Sequence, residues 1–532
     1  MPAAMGVGVA KVACRAQLGL HAPLVQVEVS LASGLPAFCI VGLPATVIKE
    51  SKERVRAALT NSGFSFPAGR ITVSLAPAEL PKEGGRFDLP IALGILLASG
   101  QLRQAESCGP REFYGELGLT GELKPVRGLL LAAVHARRHA HELIVPRGNA
   151  AEASAAASAQ VRAAGHLLEV CAHVSGAKRL PGHSSGLPSA ARCAEEISRL
   201  DLADVLGQWH AKRALLIAAA GAHSLLMIGP PGSGKTMLAQ RLPGLLPPLA
   251  ESEALEVAAI AAASGTGFAP EHYGQRPFRT PHHTSSTAAL VGGGARARPG
   301  EVSLAHHGVL FLDELPEFAR AALEALREPL ESGSVAVSRA ALQNRYPAEF
   351  QLVAAMNPCP CGRNGDAAGN CRCTPAQIRA YCGRISAPLL DRIDMQVEVP
   401  RLSPRDFAAA ASEPRETTAA AAARVARARD LQLARQGTSN ARLGDAGVQR
   451  FCGTDELGLR VLADTMQRFS LSGRARQRVL RVARTIADLA RAPSISSVHL
   501  GEALMLRGLD RQLAPTPSVP TAPSAPCDRR LA

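Results

Sequence analysis

"SLLMIGPPGSGKTMLAQRL", Ser224–Leu242, decides how this chain folds. Ser224–Ile228 reads as a short apolar strand. Gly229, Pro230, Pro231, Gly232, Ser233, Gly234, Lys235 and Thr236 follow with the G-x4-G-K-T spacing of a phosphate loop, and "MLAQRL" begins a helix. Strand, glycine-rich turn and helix in that order are the context such a motif requires. The glycines let successive backbone N–H groups turn inward on phosphates beside the positive end of a helix. Lys235 would reach the β- and γ-phosphates of ATP, and Thr236 would offer its hydroxyl to Mg²⁺. The expected fold class is therefore α/β, built on a P-loop core.

Two further strand ends complete such a site. "GVLFLDELPEF" (308–318) places four apolar residues, Val309–Leu312, before Asp313 and Glu314. Asp313 stands where a Walker-B aspartate holds Mg²⁺, and Glu314 where a general base polarises the attacking water. "FQLVAAMN" (350–357) is a third strand ending in Asn357, a polar group able to orient the same water. Downstream, "RISAPLLDRID" (384–394) contains Arg392, and "LSGRARQRVLRVARTIADLA" (471–490) contains Arg474. Both are candidates for meeting the γ-phosphate, one of them from a neighbouring subunit. The alternative for each arginine is a surface salt bridge.

The rest of the chain frames this core. Its 532 residues predict two or three domains. The net charge of +14 favours acidic partners such as nucleic acid. Residues 401–510 carry 18 Arg and no Lys against 11 acids, on helical Ala/Leu/Arg patterns without strands. That excess fits a nucleic-acid surface or merely solvated helix faces. "LVQVEVS" and "RITVSLAP" alternate as strands, with a helical pattern between them that stops at Gly63. The start, "MPAAMGVGVAKVAC", has no basic region ahead of its apolar residues, and no apolar run is long enough to span a bilayer. A cytoplasmic protein without membrane partners is expected. The predicted segments are 1–170 mixed α/β, 171–195 linker, 196–400 ATPase core, 401–510 helical domain, and 511–532 a Pro-rich disordered tail.

The set "GPPGSGKT", "RTPHHTSSTAALVGGG", "PGEVSLAHHGVLFLDELPEF", "NPCPCG" and "RISAPLLDRID" resembles the ComM/YifB-type, magnesium-chelatase-like AAA+ ATPases of bacteria. The similarity runs over residues 1 to about 510. It implies an AAA+ homo-hexamer with Asn357 as sensor 1, Arg392 as arginine finger and Arg474 as sensor 2 on a helical lid. For the ComM branch it implies a DNA helicase that drives branch migration during natural transformation, working on single-stranded and branched DNA beside recombination proteins. The N-terminal region is similar to the Lon-protease fold, but "PKEGGRFDLP" (81–90) has Arg86 where the serine nucleophile would fall. Leu130 stands at the lysine position. Without that dyad, peptide hydrolysis by its mechanism is excluded. Two other readings remain: an AAA+ remodeller of protein partners, and a chelatase-type ATPase subunit. Chelation in its own family needs a partner with an Asp-x-Ser-x-Ser motif, which is absent from this chain.

Three motifs stand outside the ATP site. "TPHHTSSTAALVGGG" (280–294) is implied by the resemblance to face a central pore, where His282 and His283 would meet a nucleic-acid backbone; the alternative is a mobile loop packed on a neighbour. "ESGSVAVSRAALQNRYPAEF" (331–350) reads as a β-hairpin with Arg339 and Arg345 near its tip, a second pair of DNA-contact candidates. Aromatic residues are only 3% of the chain, so contacts should go to phosphates rather than stacked bases. Finally, "NPCPCGRNGDAAGNCRC" (357–373) gathers Cys359, Cys361, Cys371 and Cys373 directly after Asn357. Cys-x-Cys departs from the usual Cys-x2–4-Cys of structural zinc. The reading stays open between a structural Zn²⁺ site, with Cys382 a substitute ligand, and four reduced thiols. His306 and His307, just before the Asp313 strand, read as structural.

Overall fold

The computed structural model describes residues 8–507, apart from 43–45, 81, 83, 106–108, 158–159, 184–199, 266, 295–296, 340–341, 366–370, 413 and 470–471. The predicted tail at 511–532 lies outside the described residues. The chain divides into two compact units with interleaved segments. One comprises Met1–Arg199, Pro248–Phe311 and Phe318–Gln351; the other comprises Leu200–Pro247, Leu312–Glu317 and Leu352–Ala532.

The first unit is built on a seven-stranded mixed sheet. Leu24–Ala32 shows why these residues form strands: Val25, Val27, Val29 and Leu31 alternate inward while Gln26 and Glu28 face outward or to the edge of the core. It pairs antiparallel with Val9–Arg15 and Arg70–Ala76, and the outer pairings are parallel. The helix Asp88–Ala98 is buried almost all round and lies tight on this sheet. A Cβ at Gly94 would stand 2.4 Å from Val29 Cγ2, so glycine permits the approach. The predicted linker is folded as far as residue 183. Its first residues, Cys171–Val174, complete the helix Leu167–Val174, Leu180 is buried, and the N–H of His183 donates to the carbonyl of Val161. The Ser, Gly and Pro content hid those anchors; the remaining 184–195 lie outside the described residues.

The positions where a Ser–Lys dyad would sit are filled. Arg86 is buried and donates to the carbonyls of Arg127 (2.6 Å) and Arg15 (3.4 Å), and Leu130 is fully buried. The same unit carries the predicted hairpin, Ser334–Arg339 paired with Leu342–Pro347. Arg345 sits opposite Ala336, toward the hairpin's base rather than its tip, and its Nε donates to Ser334 Oγ at 2.9 Å. The backbone of Arg339 ends the first strand, and its side chain lies outside the described residues.

In the second unit Leu225–Ile228 lies parallel between Gln351–Met356 and Met395–Glu398. Leu225–Ile228 and Gln351–Met356 are almost wholly apolar and buried, as both-face burial in a parallel sheet demands, while Met395–Glu398 buries Met395, Gln396 and Val397 and exposes Glu398. Beyond residue 400 the described elements are helices, the longest being Thr418–Gln436 and Gly473–Leu489. Their arginines are partly used inside the fold. Arg435 and Arg484 both pair with Asp488, Arg478 pairs with Asp394, and Arg507 donates to the carbonyl of Ile393. These four of the eighteen arginines are thus tied up in the fold, whichever use the remaining excess has.

Candidate nucleotide site

Parallel strands deliver their C-terminal ends to one edge, the place where α/β sheets gather ligands. Leu225–Ile228 leads into the glycine loop. A Cβ on Gly229 would stand 2.1 Å from the carbonyl oxygen of Val399, while Gly232 and Gly234 take φ of 77° and 93°. These backbone angles are what glycine allows at little cost. Lys235 opens the helix Lys235–Ala239, and its Nζ turns back over the loop. It donates to the carbonyls of Gly229 (2.7 Å) and Pro230 (2.9 Å) and to Asn357 Oδ1 at 3.4 Å. Burial lowers its ammonium below the ordinary lysine range, against the pull of Asp313 and Glu314. A charge already stripped of much of its water is one that phosphate oxygens can take over from carbonyls.

Thr236 Oγ1 donates to Asp313 Oδ2 at 2.9 Å, so hydroxyl and carboxylate face one spot. These hard oxygens suit Mg²⁺, which takes one or two carboxylate or hydroxyl ligands and completes its shell with water and phosphate. The next residue, Glu314, is exposed and has φ of 53°, and its N–H donates to Asp313 Oδ1 at 2.9 Å. Left-handed backbone costs a non-glycine residue about 1–2 kcal/mol; here it turns Glu314 out of line with the strand.

The structure brings together Lys235, Thr236, Asp313, Glu314 and Asn357 around the loop. It does not bring the two arginines into that hydrogen-bonded set. Arg392 is buried, its Nη1 donating to the carbonyl of Pro388 at 2.7 Å. Arg474 is exposed in the first turn of Gly473–Leu489. Behind the strands Asp394 is fully inside. Burial alone would raise its carboxyl, but His223 and Arg478 hold it well below the ordinary carboxylate range. Asp394 also accepts the N–H of Ser224, pinning the residue just ahead of the strand that leads into the loop. Sequence reading missed Gln208. Its amide donates to the carbonyls of Ser233 (3.2 Å) and Pro400 (2.6 Å), from a left-handed residue ahead of the helix Trp209–Gly221. The signal was a Gly-Gln pair immediately before a helical run.

Directly after Asn357 the four cysteines converge, with all four sulfurs within 4.8 Å of one another, compatible with Zn²⁺. Cys382 is not in the group. The backbone N–H groups of Arg363 and Arg372 draw the Cys361 thiol down to about 6. In the other unit His282 is exposed and shares a 2.9 Å hydrogen bond with Thr284, its ring 4.1 Å from that of His283. The stretch expected as a loop includes a short helix, Thr287–Val291, capped by Ser286. His306 and His307 meet the carboxylate of Glu256, each at 3.2 Å. Among the described residues no helix is long and apolar enough to cross a membrane.

Comparison with known proteins places this geometry. Three family profiles follow one another along the chain: subunit ChlI of Mg-chelatase at 27–149, magnesium chelatase subunit ChlI at 201–407, and the C-terminal part of that subunit at 415–507. A Salmonella typhimurium protein named YifB is 48% identical over 499 residues, covering 94% of this chain and 97% of that one. The competence protein ComM of Haemophilus influenzae is 47% identical with the same coverage. A magnesium-chelatase 67 kDa subunit of Chlorobaculum parvum is 27% identical over 157 residues, 29% of this chain and 23% of its own length. Near-half identity over almost the whole length, on motifs that converge at one sheet edge, means that this chain belongs to the ComM/YifB-type, magnesium-chelatase-like family.

Proposed function

We infer that the protein is a Mg²⁺-dependent ATPase whose copies assemble into a hexameric ring that moves branched DNA, promoting the integration of incoming strands in natural transformation. One observation carries the ATPase part: Lys235, held over the glycine loop and against Asn357, stands at the same strand ends as the Thr236–Asp313 pair. The DNA part rests on the 47% identity to a competence protein. The chelatase profiles span most of the chain, but the near-full-length identity is to a competence protein while the chelatase 67 kDa subunit aligns over only 29% of it, which favours the DNA reading over metal insertion.

In this reading Lys235 exchanges its carbonyl partners for phosphate oxygens, and Thr236 and Asp313 would hold Mg²⁺. The ion, when bound, neutralises charge on the β- and γ-phosphates. Glu314 orients and deprotonates the attacking water, and Asn357 fixes that water while staying in touch with Lys235. Arg392 and Arg474 serve as finger and sensor toward the γ-phosphate, Arg392 from a neighbouring copy. Residues 1–170 act as a non-proteolytic Lon-like scaffold, the helices past 400 as a lid, and His282, His283, Arg339 and Arg345 as the DNA-facing set.

The test is ATP turnover and junction movement on labelled three- and four-strand DNA, with Lys235→Ala as control. Stimulation by branched DNA, with strand exchange only when Lys235 is intact, is expected. Turnover that no DNA form changes, with no strand moved, overturns the motor reading and favours a protein client.

A further inference from the structure

We propose that Cys359, Cys361, Cys371 and Cys373 bind one zinc ion, and that this ion braces the phosphate loop through Gly362. The sulfur geometry carries the first half. Cys359 Sγ lies 3.4 Å from Cys361 Sγ and 3.8 Å from Cys371 Sγ, and the last two are 3.7 Å apart. A tetrahedron with metal–sulfur bonds of about 2.3 Å sets its sulfurs about 3.8 Å apart. A disulfide needs about 2.05 Å, which none of these pairs approaches. Cys371, ten or more residues after Cys359 and Cys361, thus shares their spacing, and Cys373 Sγ lies within 4.8 Å of all three.

The surroundings suit metal-bound thiolates. Asn364 N–H donates to Cys359 Sγ at 3.3 Å, and the N–H groups of Arg363 and Arg372 are directed at Cys361. Such backbone donors offset the negative charge that four thiolates bring to one ion and fix the ligands' orientation. Cys359 is fully buried and the other three are partly or largely exposed, so the cluster has an anchored side and an entry side. The family of His306, His307 and Glu256 does not compete. His306 Nδ1 accepts the N–H of Glu349 at 3.0 Å, which leaves the ring proton on Nε2, the atom facing Glu256. That nitrogen donates and cannot ligate.

The second half rests on contact. Gly362 follows Cys361 with φ of 74°, its N–H bonded to the carbonyl of Cys359, and a Cβ there would stand 2.6 Å from Pro231 Cδ. The metal loop therefore lies against the middle of the phosphate loop, and Asn357, two residues before Cys359, touches Lys235. Holding the four sulfurs on one ion fixes both ends of this contact. This coupling rests on the nucleotide reading above, whereas the metal site itself does not.

The experiment measures metal content and nucleotide affinity separately on the full chain. Protein purified without chelator should carry one zinc per chain by mass spectrometry, and cobalt exchanged into it should give the visible absorption of a tetrahedral thiolate site. Cys371→Ser with Cys373→Ser should lose the metal, while Cys39→Ser keeps it. Metal-free protein should bind a fluorescent ATP analogue about three- to tenfold more weakly, the cost of ordering one or two residues on binding. Lys235→Ala should lose the nucleotide and keep the zinc. A wild-type chain that holds no zinc and shows no cobalt–thiolate spectrum overturns the site. Zinc present but without effect on nucleotide affinity overturns the brace. Zinc present in a chain that binds no nucleotide at all overturns the ATPase reading instead.

Discussion

Two glycine-rich turns in this chain each lead into a helix, and they have been put to opposite uses. In "PKEGGRFD" Gly84 takes φ of 79° before the helix Asp88–Ala98, and the turn is plugged by its own side chains. Arg86 is spent on backbone carbonyls, and Asp88 in the first helical turn pairs with Arg54 at 2.7 Å. In "GPPGSGKT" the first turn of the helix carries no acid, nothing lies within 4 Å of a Cβ on Gly232 or Gly234, and the lysine is held by carbonyls alone apart from Asn357. An acid in the first turn already answers the positive end of a helix. Where it is missing, that end and a cation remain for a ligand. The difference is one of stability against readiness.

The largest effect that would break this contrast concerns Arg392. If it is a finger reaching a neighbour's phosphate, Arg392→Ala lowers ATP turnover by on the order of 10³ or more. Mixing that variant with Lys235→Ala chains then restores part of the rate, because each intact ring contact needs one good lysine and one good arginine. A fall that matches only the loss of folded protein, with no rescue on mixing, would make Arg392 structural, as its burial and its bond to Pro388 O suggest for the isolated chain.

Asp88→Ala tests the plugged turn. Removing the carboxylate leaves the N–H of Leu117 without its acceptor and Arg54 with Ser51 Oγ in place of its ion pair. Breaking a buried pair costs about 3 kcal/mol, and somewhat less is expected here since Arg54 is partly exposed. Thermal unfolding should report that loss while nucleotide affinity of the folded chain stays the same. A smaller cost, about 1–2 kcal/mol, is expected of Arg86→Ser, which strands the carbonyl of Arg127. It should confer no peptide hydrolysis, because Leu130 stays buried and supplies no base.

The two turns also mark what the residues disclosed in advance. The phosphate loop, the Asp313 strand and Asn357 were legible because each is a short apolar run ending in a polar residue, a pattern that fixes both the strand and where its end points. The alternation of Leu24–Ala32 was readable for the same reason. Partners remote in sequence were not. Nothing local ties Gln208 to Ser233, Asp394 to His223, or Gly362 to Pro231; those depend on how the sheet brings separated segments to one edge. The linker misled because Ser, Gly and Pro mark irregular backbone, which can still be anchored by one buried leucine. The DNA-contact candidates remained a proposal because exposed His282 and Arg345 make local hydrogen bonds of a kind any surface offers.

The smallest effect separates the satisfied histidine from the ready cysteines. Burial, and then the neighbouring His307, push His306 down to about 4, although Glu256 pulls the other way. An unfolded histidine titrates near 6.5. Between those values the unfolded chain binds the extra proton and the folded one does not, so stability rises with pH across that window. Acidification from about pH 6.5 toward 4 should therefore lower the unfolding temperature by an amount of which His306→Gln removes a part. Glutamine can still offer an amide donor to Glu256 and has no proton to gain. If the variant's unfolding temperature falls with acid as steeply as the parent's, His306 is not held neutral in the folded chain and its Nδ1 does not depend on the Glu349 N–H. A slope that flattens shows His306 held neutral by burial, with its Nε2 proton kept for Glu256.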